Sequence, residues 1–226
     1  GFHVFSGSQV LDADKLNEQF RLALDLSLRA ADTLDIAPSY INLGGGLGIP
    51  YGPDDKELDL FKVSDAMTEL VRRAAPARLV LELGRYLVSE AGWYLTSVVG
   101  HQSYQGQPAV VVDGGVHQRA DICGLCLRSN QIPPLVLKGA VTCLSEAESQ
   151  QHNVESQVTP TAVLGCLSLP DDVLIESSLL PNLAVGDVLA FCRAGAYGLW
   201  SSAALFHSSP LPAEVAFEGL STIQLM

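Results

Sequence analysis

The run Tyr40-Ile41-Asn42-Leu43 is rich in β-formers and stops abruptly at Gly44-Gly45-Gly46, with an amphipathic helical pattern on either side. Upstream, Leu16, Phe20, Ala23, Leu24, Leu28 and Ala31 recur at helical spacing, Asp12 or Asp14 can cap the start, and Pro38 lies beyond the end. Downstream, after a polar loop from Gly52 to Glu57, Ser64 is placed to cap a second helix through Ala74. Its inner face would carry Met67, Leu70, Val71 and Ala74. Arg78 to Leu83 reads as the next strand. Apolar strands alternating with helices predict βα units of a parallel sheet or barrel.

Beyond about residue 86 the texture changes. Strand-like runs at 93–100, 108–113, 135–143, 161–167 and 187–193 are separated by Gly, Pro, Asn and Ser clusters without a helical period. The expected division is a barrel portion over 1–85 and a β domain over 86–226, with the boundary at 84–90. A chain of 226 residues can bury a core without disulfide or metal staples, and 48% hydrophobic against 17% charged residues excludes intrinsic disorder. No apolar run approaches the roughly 20 residues a bilayer span needs. A net charge of −12 speaks against nucleic-acid phosphates and anionic membranes as partners. Five cysteines, an odd number, with no signal peptide ahead of them point to a reducing cytoplasm. The chain opens on Gly1-Phe2-His3-Val4-Phe5, without a methionine and as if inside a strand, so a further N-terminal portion is expected.

Several motifs can carry chemistry. Gly44-Gly45-Gly46-Leu47-Gly48 directly follows a strand and is either a tight structural turn or a cradle of backbone N–H groups for an anion. It is not a P-loop, because no Gly-Lys-Ser/Thr follows, and Ile49 stands where a dinucleotide fingerprint needs its third glycine. Glu82 and Arg85 flank Gly84. In isolation they read as a surface ion pair, but at the carboxyl end of a barrel strand they would project into the ligand-binding mouth. Cys123-Gly124-Leu125-Cys126 has redox and zinc spacing but lacks a second pair and a histidine at ligand distance, which makes incidental thiols the default reading. His3 on an apolar strand and Tyr197 in a glycine-rich turn are by default packing residues.

Taken in order, Gly1 to Gln9, Asn42 to Tyr51, Glu82 to Val88, Val112-Asp113-Gly114-Gly115 and Gly186-Asp187 through Gly195-Ala196-Tyr197-Gly198 resemble the fold-type III pyridoxal-phosphate decarboxylases. This is the group of ornithine, arginine and diaminopimelate decarboxylases. The resemblance runs from His3 to about Val215 and is closest to the subgroup of biosynthetic clusters, including those that act on carrier-protein-bound amino acids. It implies a fold that is α/β followed by β: the C-terminal part of a (β/α)8 barrel plus a mostly antiparallel β-barrel or sandwich domain. It implies pyridoxal 5'-phosphate as cofactor. His3 would stack on the pyridine ring, and Gly44, Gly45 and Gly46 would hold the phosphate with Arg85 and the Tyr197 hydroxyl. Ser8 would add a weaker phosphate contact, because Phe5-Ser6 lengthen the usual His-x-Gly-Ser spacing. Glu82 would face the pyridine nitrogen. A homodimer with shared active sites follows from the same resemblance.

Three departures shape the functional expectation. The Schiff-base lysine of the family lies on an early barrel strand. Lys15, Lys56, Lys62 and Lys138 do not match it, so the residue must lie upstream or on a separate N-terminal polypeptide, and this stretch alone is expected to be catalytically incomplete. Ser168 falls where the family has its active-site cysteine, and Cys166, two residues away on the same side of an extended strand, is the candidate substitute. Leu169 replaces an acidic residue that reads a charged distal amine. Leu169 and Asp172 are thus placed at the substrate's distal end, and a neutral, amide-linked or carrier-tethered arm is favoured over a free ammonium. The leading expectation is decarboxylation of an amino acid or amino-acid conjugate in a secondary biosynthetic pathway. The alternatives are a degenerate, non-catalytic subunit and an amino-acid racemase of related fold.

Overall fold

The computed structural model describes residues 1–125, 132–138, 158–218 and 222–225. They form two compact units: Gly1–Gly92 together with Arg193–Ala196, and Trp93–Cys192 together with Tyr197–Met226.

The first unit is built of βα repeats. Strand β1 (Phe2–His3), helix α1 (Ala13–Leu34), β2 (Tyr40–Asn42), α2 (Leu60–Ala74) and β3 (Arg78–Val80) follow in order, and the strands pair in parallel as β1-β2-β3. Parallel neighbours need a long crossover, which each helix supplies. Asp12 caps α1, its Oδ1 accepting from the amides of Asp14 (2.9 Å) and Lys15 (3.2 Å). The predicted stripe is the buried one: Leu16, Phe20, Ala23 and Leu24 share a core with Ile41 and Leu43 of the central strand, and Ala31 is buried further along the helix. Burial of each large side chain in this stripe stabilises the unit by roughly 1.5–3 kcal/mol.

Helix α2 begins five residues before the expected start. Its cap is Asp59, which accepts from the Lys62 amide at 3.1 Å, while Ser64 lies within the helix, its carbonyl accepting from the Thr68 hydroxyl. Val63, Leu70 and Ala74, with Met67 packed beside them, form the buried row at i, i+4, i+7 and i+11, and Val71 lies off that row and points outward. A short helix α3 (Gly84–Val88) follows β3. The returning segment docks beside it through Gly195 N–H on the Ser89 carbonyl (3.0 Å) and Ala194 N–H on the Gly92 carbonyl (2.9 Å). A Cβ on Gly195 would lie 1.8 Å from the Val88 oxygen, so only glycine permits this approach.

The second unit carries β4 (Tyr94–Tyr104), β5 (Gln107–Val112), helix α4 (Val116–Arg119), β6 (Leu135–Leu137), β7 (Val158–Leu164), β8 (Val173–Pro181) and β9 (Val188–Phe191), with a ribbon of β10 (Val215–Glu218) and β11 (Thr222–Leu225). The main sheet runs β6-β9-β4-β5-β7-β8. Only β5 and β7 pair in parallel, so the sheet is mixed but mostly antiparallel. Its core gathers Val98, Val110, Val112, Val163, Leu174, Leu180, Leu189 and Phe191. Strand β8 is absent from the sequence expectation: its Glu176-Ser177-Ser178 centre breaks the apolar pattern, yet the flanking Leu174, Ile175 and Leu180 are buried. Of the run expected at 135–143, residues 139–143 lie outside the described residues. Among the described residues no helix is long and apolar enough to cross a membrane.

Candidate functional site

Three strand ends meet side by side, because the parallel register aligns His3 with Asn42 and Asn42 with Val80. Ligands of βα folds bind at the carboxyl ends of such strands, where the loops diverge. The ladder continues past the strands: Val4 N–H donates to Asn42 O (2.9 Å), Leu43 N–H to Val80 O (3.0 Å) and Glu82 N–H to Gly44 O (2.8 Å). This last bond brings Glu82 against the glycine loop. The Glu82 carboxylate accepts from Asn42 Nδ2 at 2.9 Å through Oε1, and its Oε2 lies 3.4 Å from His3 Nε2. Both His3 and Glu82 keep over half of their side chains exposed, at 52% and 57%.

The glycine loop is a tight turn with open donors. Gly44 and Gly46 have φ of 71° and 109°, a backbone that side chains disfavour, and a Cβ on Gly45 would lie 2.2 Å from the Glu82 carbonyl oxygen. Asn42 Oδ1 accepts from Gly44 N–H at 2.8 Å. Gly46 O accepts from Val10 N–H (2.9 Å) and Gly48 N–H donates to Val10 O (3.0 Å), tying the loop to the segment that carries Ser8. Among the described residues, no hydrogen bond uses the amides of Gly45 or Gly46. Successive free N–H groups in such a turn make an anion-binding concavity.

Arg85 is buried on α3 and donates from Nη1 to the Tyr51 hydroxyl at 2.9 Å, with its guanidinium carbon 5.5 Å from the Tyr51 ring centre. The Tyr51 hydroxyl also lies 3.2 Å from Ser89 Oγ. The Glu82 and Arg85 side chains, three residues apart, therefore turn to different neighbours. Tyr51, Ser89 and Asn42 do not stand out in the sequence as site residues. Asn42 alone leaves a trace there, as a polar residue at the end of an apolar strand two positions before the glycines.

In the β unit, Cys166, Ser168 and Leu169 are exposed on the loop after β7, and Cys166 Sγ is 3.5 Å from the Asp113 carbonyl oxygen. Partial desolvation of the Cys166 sulfur, reinforced by the Asp172 charge, pushes its thiol up although the residue is exposed overall. Asp172 is only 3% exposed. Its two oxygens accept from Val116 N–H (2.6 Å) and Leu167 N–H (2.7 Å), and it packs where Gly115 and Gly165 leave no side chain. This is a scaffold position that joins two loops; of the two residues expected at the substrate's distal end, Leu169 alone faces outward. Tyr197 sits at φ 60° and half exposed in its own turn, where its carbonyl accepts from the Ser201 hydroxyl. Cys123 is half-buried and its thiol pushed up to about 12 by desolvation, while Cys126 lies outside the described residues. Among the described residues no three His, Cys, Asp or Glu side chains gather into a metal site.

Comparison with known proteins gives this geometry a context. Residues 1–89 match the pyridoxal binding domain of the pyridoxal-dependent decarboxylases, and residues 61–195 match the C-terminal sheet domain of the same enzymes. Among relatives, the L-glutamyl-[BtrI acyl-carrier protein] decarboxylase of Niallia circulans is 30% identical over 95% of this chain and 49% of its own length. The diaminopimelate decarboxylase of Methanothermobacter thermautotrophicus is 28% identical over 95% of this chain and 47% of its own. Among solved structures, diaminopimelate decarboxylase from M. jannaschii in complex with L-lysine matches with a TM-score of 0.77 at 25% identity, over 99% of this chain and 48% of that one. The Helicobacter pylori enzyme with L-lysine matches with a TM-score of 0.74 at 22% identity, over 99% and 50%. The chain spans about half the length of the curated relatives it matches.

The strand-end residues fit pyridoxal 5'-phosphate by their donor set. Two open glycine amides suit a phosphate, and an accessible carboxylate held by neighbours suits a protonated ring nitrogen. With both halves of the family pattern matched along its length and its fold shared with the solved enzymes, the chain belongs to the pyridoxal-dependent decarboxylases, and its cofactor is pyridoxal 5'-phosphate.

Proposed function

We propose that this chain is the ring-nitrogen and phosphate-binding half of a decarboxylase that acts on an amino acid or amino-acid conjugate in a secondary biosynthetic pathway. The observation that carries the reading is the Glu82 carboxylate, fixed by Asn42 and His3 beside a glycine loop with open amides. When bound, pyridoxal 5'-phosphate supplies the sink for the electron pair left on the α-carbon as CO2 departs. Glu82 keeps the ring nitrogen protonated, Gly45 and Gly46 donate to the phosphate, and Arg85 adds positive charge. His3, 3.4 Å from Glu82 through Nε2, would stack on the ring and orient the Glu82 carboxylate.

The β unit serves the neighbouring protomer of a homodimer. Cys166 returns the proton to the α-carbon; its raised pKa keeps Sγ–H available at neutral pH, whereas the Ser168 hydroxyl is a far weaker acid. Lys62 pairs with Asp14 at 2.6 Å and Lys138 with Asp187 at 2.8 Å, which supports a Schiff-base lysine from outside this stretch. Exposed, apolar Leu169 favours a substrate whose distal arm carries an amide or a carrier thioester, as in the carrier-protein decarboxylase relative. Burying an unpaired ammonium against it costs on the order of several kcal/mol, enough to reject free ornithine by orders of magnitude.

The test is CO2 release by the full-length protein from free diamino acids and from carrier-bound or amide-extended amino acids. Turnover of the extended substrates is expected; efficient turnover of free ornithine, unchanged by Leu169→Asp, refutes the substrate reading. A second reading, a degenerate subunit, is favoured by Ser168 at the family's cysteine position. It requires a cofactor-loaded protein that releases CO2 from none of these substrates.

A further inference from the structure

One side chain joins the two halves of the cofactor site. Asn42 ends β2 between β1 and β3, and its amide is used in both directions. Oδ1 accepts from the N–H of Gly44, the entry to the glycine loop, at 2.8 Å, while Nδ2 donates to Glu82 Oε1 at 2.9 Å. A neutral amide can donate and accept at once, as a donor on one side and a carboxylate on the other require, whereas a carboxylate of the same shape can only accept. Aspartate, the same size, still offers Gly44 an acceptor but sets a second carboxylate against Glu82, and the repulsion works against that bond. The charged or titratable side chain beside Glu82 is His3 on β1, at 3.4 Å; Arg85 on α3 is engaged with Tyr51.

We propose that Asn42 is a positioning residue that couples recognition of the cofactor's ring nitrogen to the phosphate-binding loop. Its amide is the link by which the charge at position 82 is felt at Gly44. The inference rests on the assignment of Glu82 to the ring nitrogen and of the glycine loop to the phosphate. The Glu82 backbone reinforces the link, since its N–H donates to Gly44 O at 2.8 Å, but that bond is indifferent to which side chain stands at either position.

The consequence is a specific pattern of rescue. In Asn42→Asp the two carboxylates repel and the new one is drawn off Gly44, so the phosphate loop loosens although its own acceptor is retained. Adding Glu82→Gln restores a donor facing an acceptor, now with the direction reversed. The amide introduced at position 82 donates to the carboxylate at position 42, whose other oxygen returns to the Gly44 N–H. Cofactor affinity recovers while CO2 release does not, because no carboxylate faces the ring nitrogen.

The experiment is a double-substitution cycle in the full-length protein, with pyridoxal 5'-phosphate affinity at pH 8 read from the change in protein fluorescence. Asn42→Asp should weaken binding about tenfold alone and less than about twofold in the Glu82→Gln background. Asn42→Ala, which removes the grip on Gly44 without adding charge, should lose affinity equally in both backgrounds. Equal loss from Asn42→Asp with and without Glu82→Gln overturns the coupling, as does wild-type affinity in Asn42→Asp alone, since the residue would then act on the loop only or not at all. If the unsubstituted protein fails to bind the cofactor, the assignment of the site itself falls, an outcome distinct from additivity in a protein that binds.

Discussion

Removing the Asp172 carboxylate should destabilise the β unit more than any other single change to its loops. The side chain is 3% exposed and accepts two short bonds, 2.6 Å from Val116 N–H and 2.7 Å from Leu167 N–H, so it joins the turn after β5 to the loop that presents Cys166 and Leu169. Hydrogen bonds to a charged acceptor contribute about 1.5–3 kcal/mol each. Two lost bonds, offset by water reaching the freed Leu167 amide in its part-exposed loop, put Asp172→Ala at about 4 kcal/mol. For a chain of this size that is a fall in melting midpoint on the order of 8–16 °C. Asp172→Asn keeps one acceptor but turns an NH2 toward the other amide, and should cost about half as much. Calorimetry reads the midpoint, and hydrogen exchange reads the Val116 and Leu167 amides directly. A fall of less than about 2 °C for Asp172→Ala, with both amides still protected, refutes the scaffold role.

His117 gives the unit a pH dependence. It is 2% exposed, and burial holds its pKa below the usual histidine value, only partly opposed by the Asp172 charge. The unfolded chain then takes up a proton near pH 6.5 that the folded chain resists, so stability should fall as pH drops through about 6.5, and His117→Gln should flatten that slope in urea melts at about pH 7.5 and 5.5. Peptide mapping after alkylation should find the exposed Cys166 labelled before the half-buried Cys123 in native protein. Asp172→Asn should speed Cys166 labelling at neutral pH, since the neighbouring charge that helps to hold its thiol up is gone. Gly45→Ala, whose methyl would meet the Glu82 carbonyl at 2.2 Å, should abolish cofactor binding in the fluorescence titration while leaving far-UV circular dichroism unchanged.

Local periodicity carries the architecture of the first unit. The stripe from Leu16 to Ala31 is the buried face of α1, and the apolar strand stopped by glycines is the middle strand of the parallel sheet. By residue type Ser64 reads as the cap of α2, but the observed cap is Asp59, and the earlier start adds Val63 to the buried stripe. Strand β8 is hidden there because cross-strand pairing with β7 tolerates a polar centre on its exposed side. The glycines, Glu82 and Arg85 stand out as motif residues, but their partners do not. Glu82 meets Asn42 across 40 positions and Arg85 meets Tyr51 across 34, contacts set by strand register and loop path rather than by spacing. Asp172 is singled out in the sequence by its place in a motif, while its link between two loops shows only in its burial and its two amide partners.

A crystal structure of the full-length protein with pyridoxal 5'-phosphate tests the central claim most directly. The account predicts the ring nitrogen within hydrogen-bond distance of the Glu82 carboxylate and the phosphate on the amides of Gly45 and Gly46. A cofactor whose ring nitrogen faces any other group, or whose phosphate lies away from the glycine loop, would contradict it.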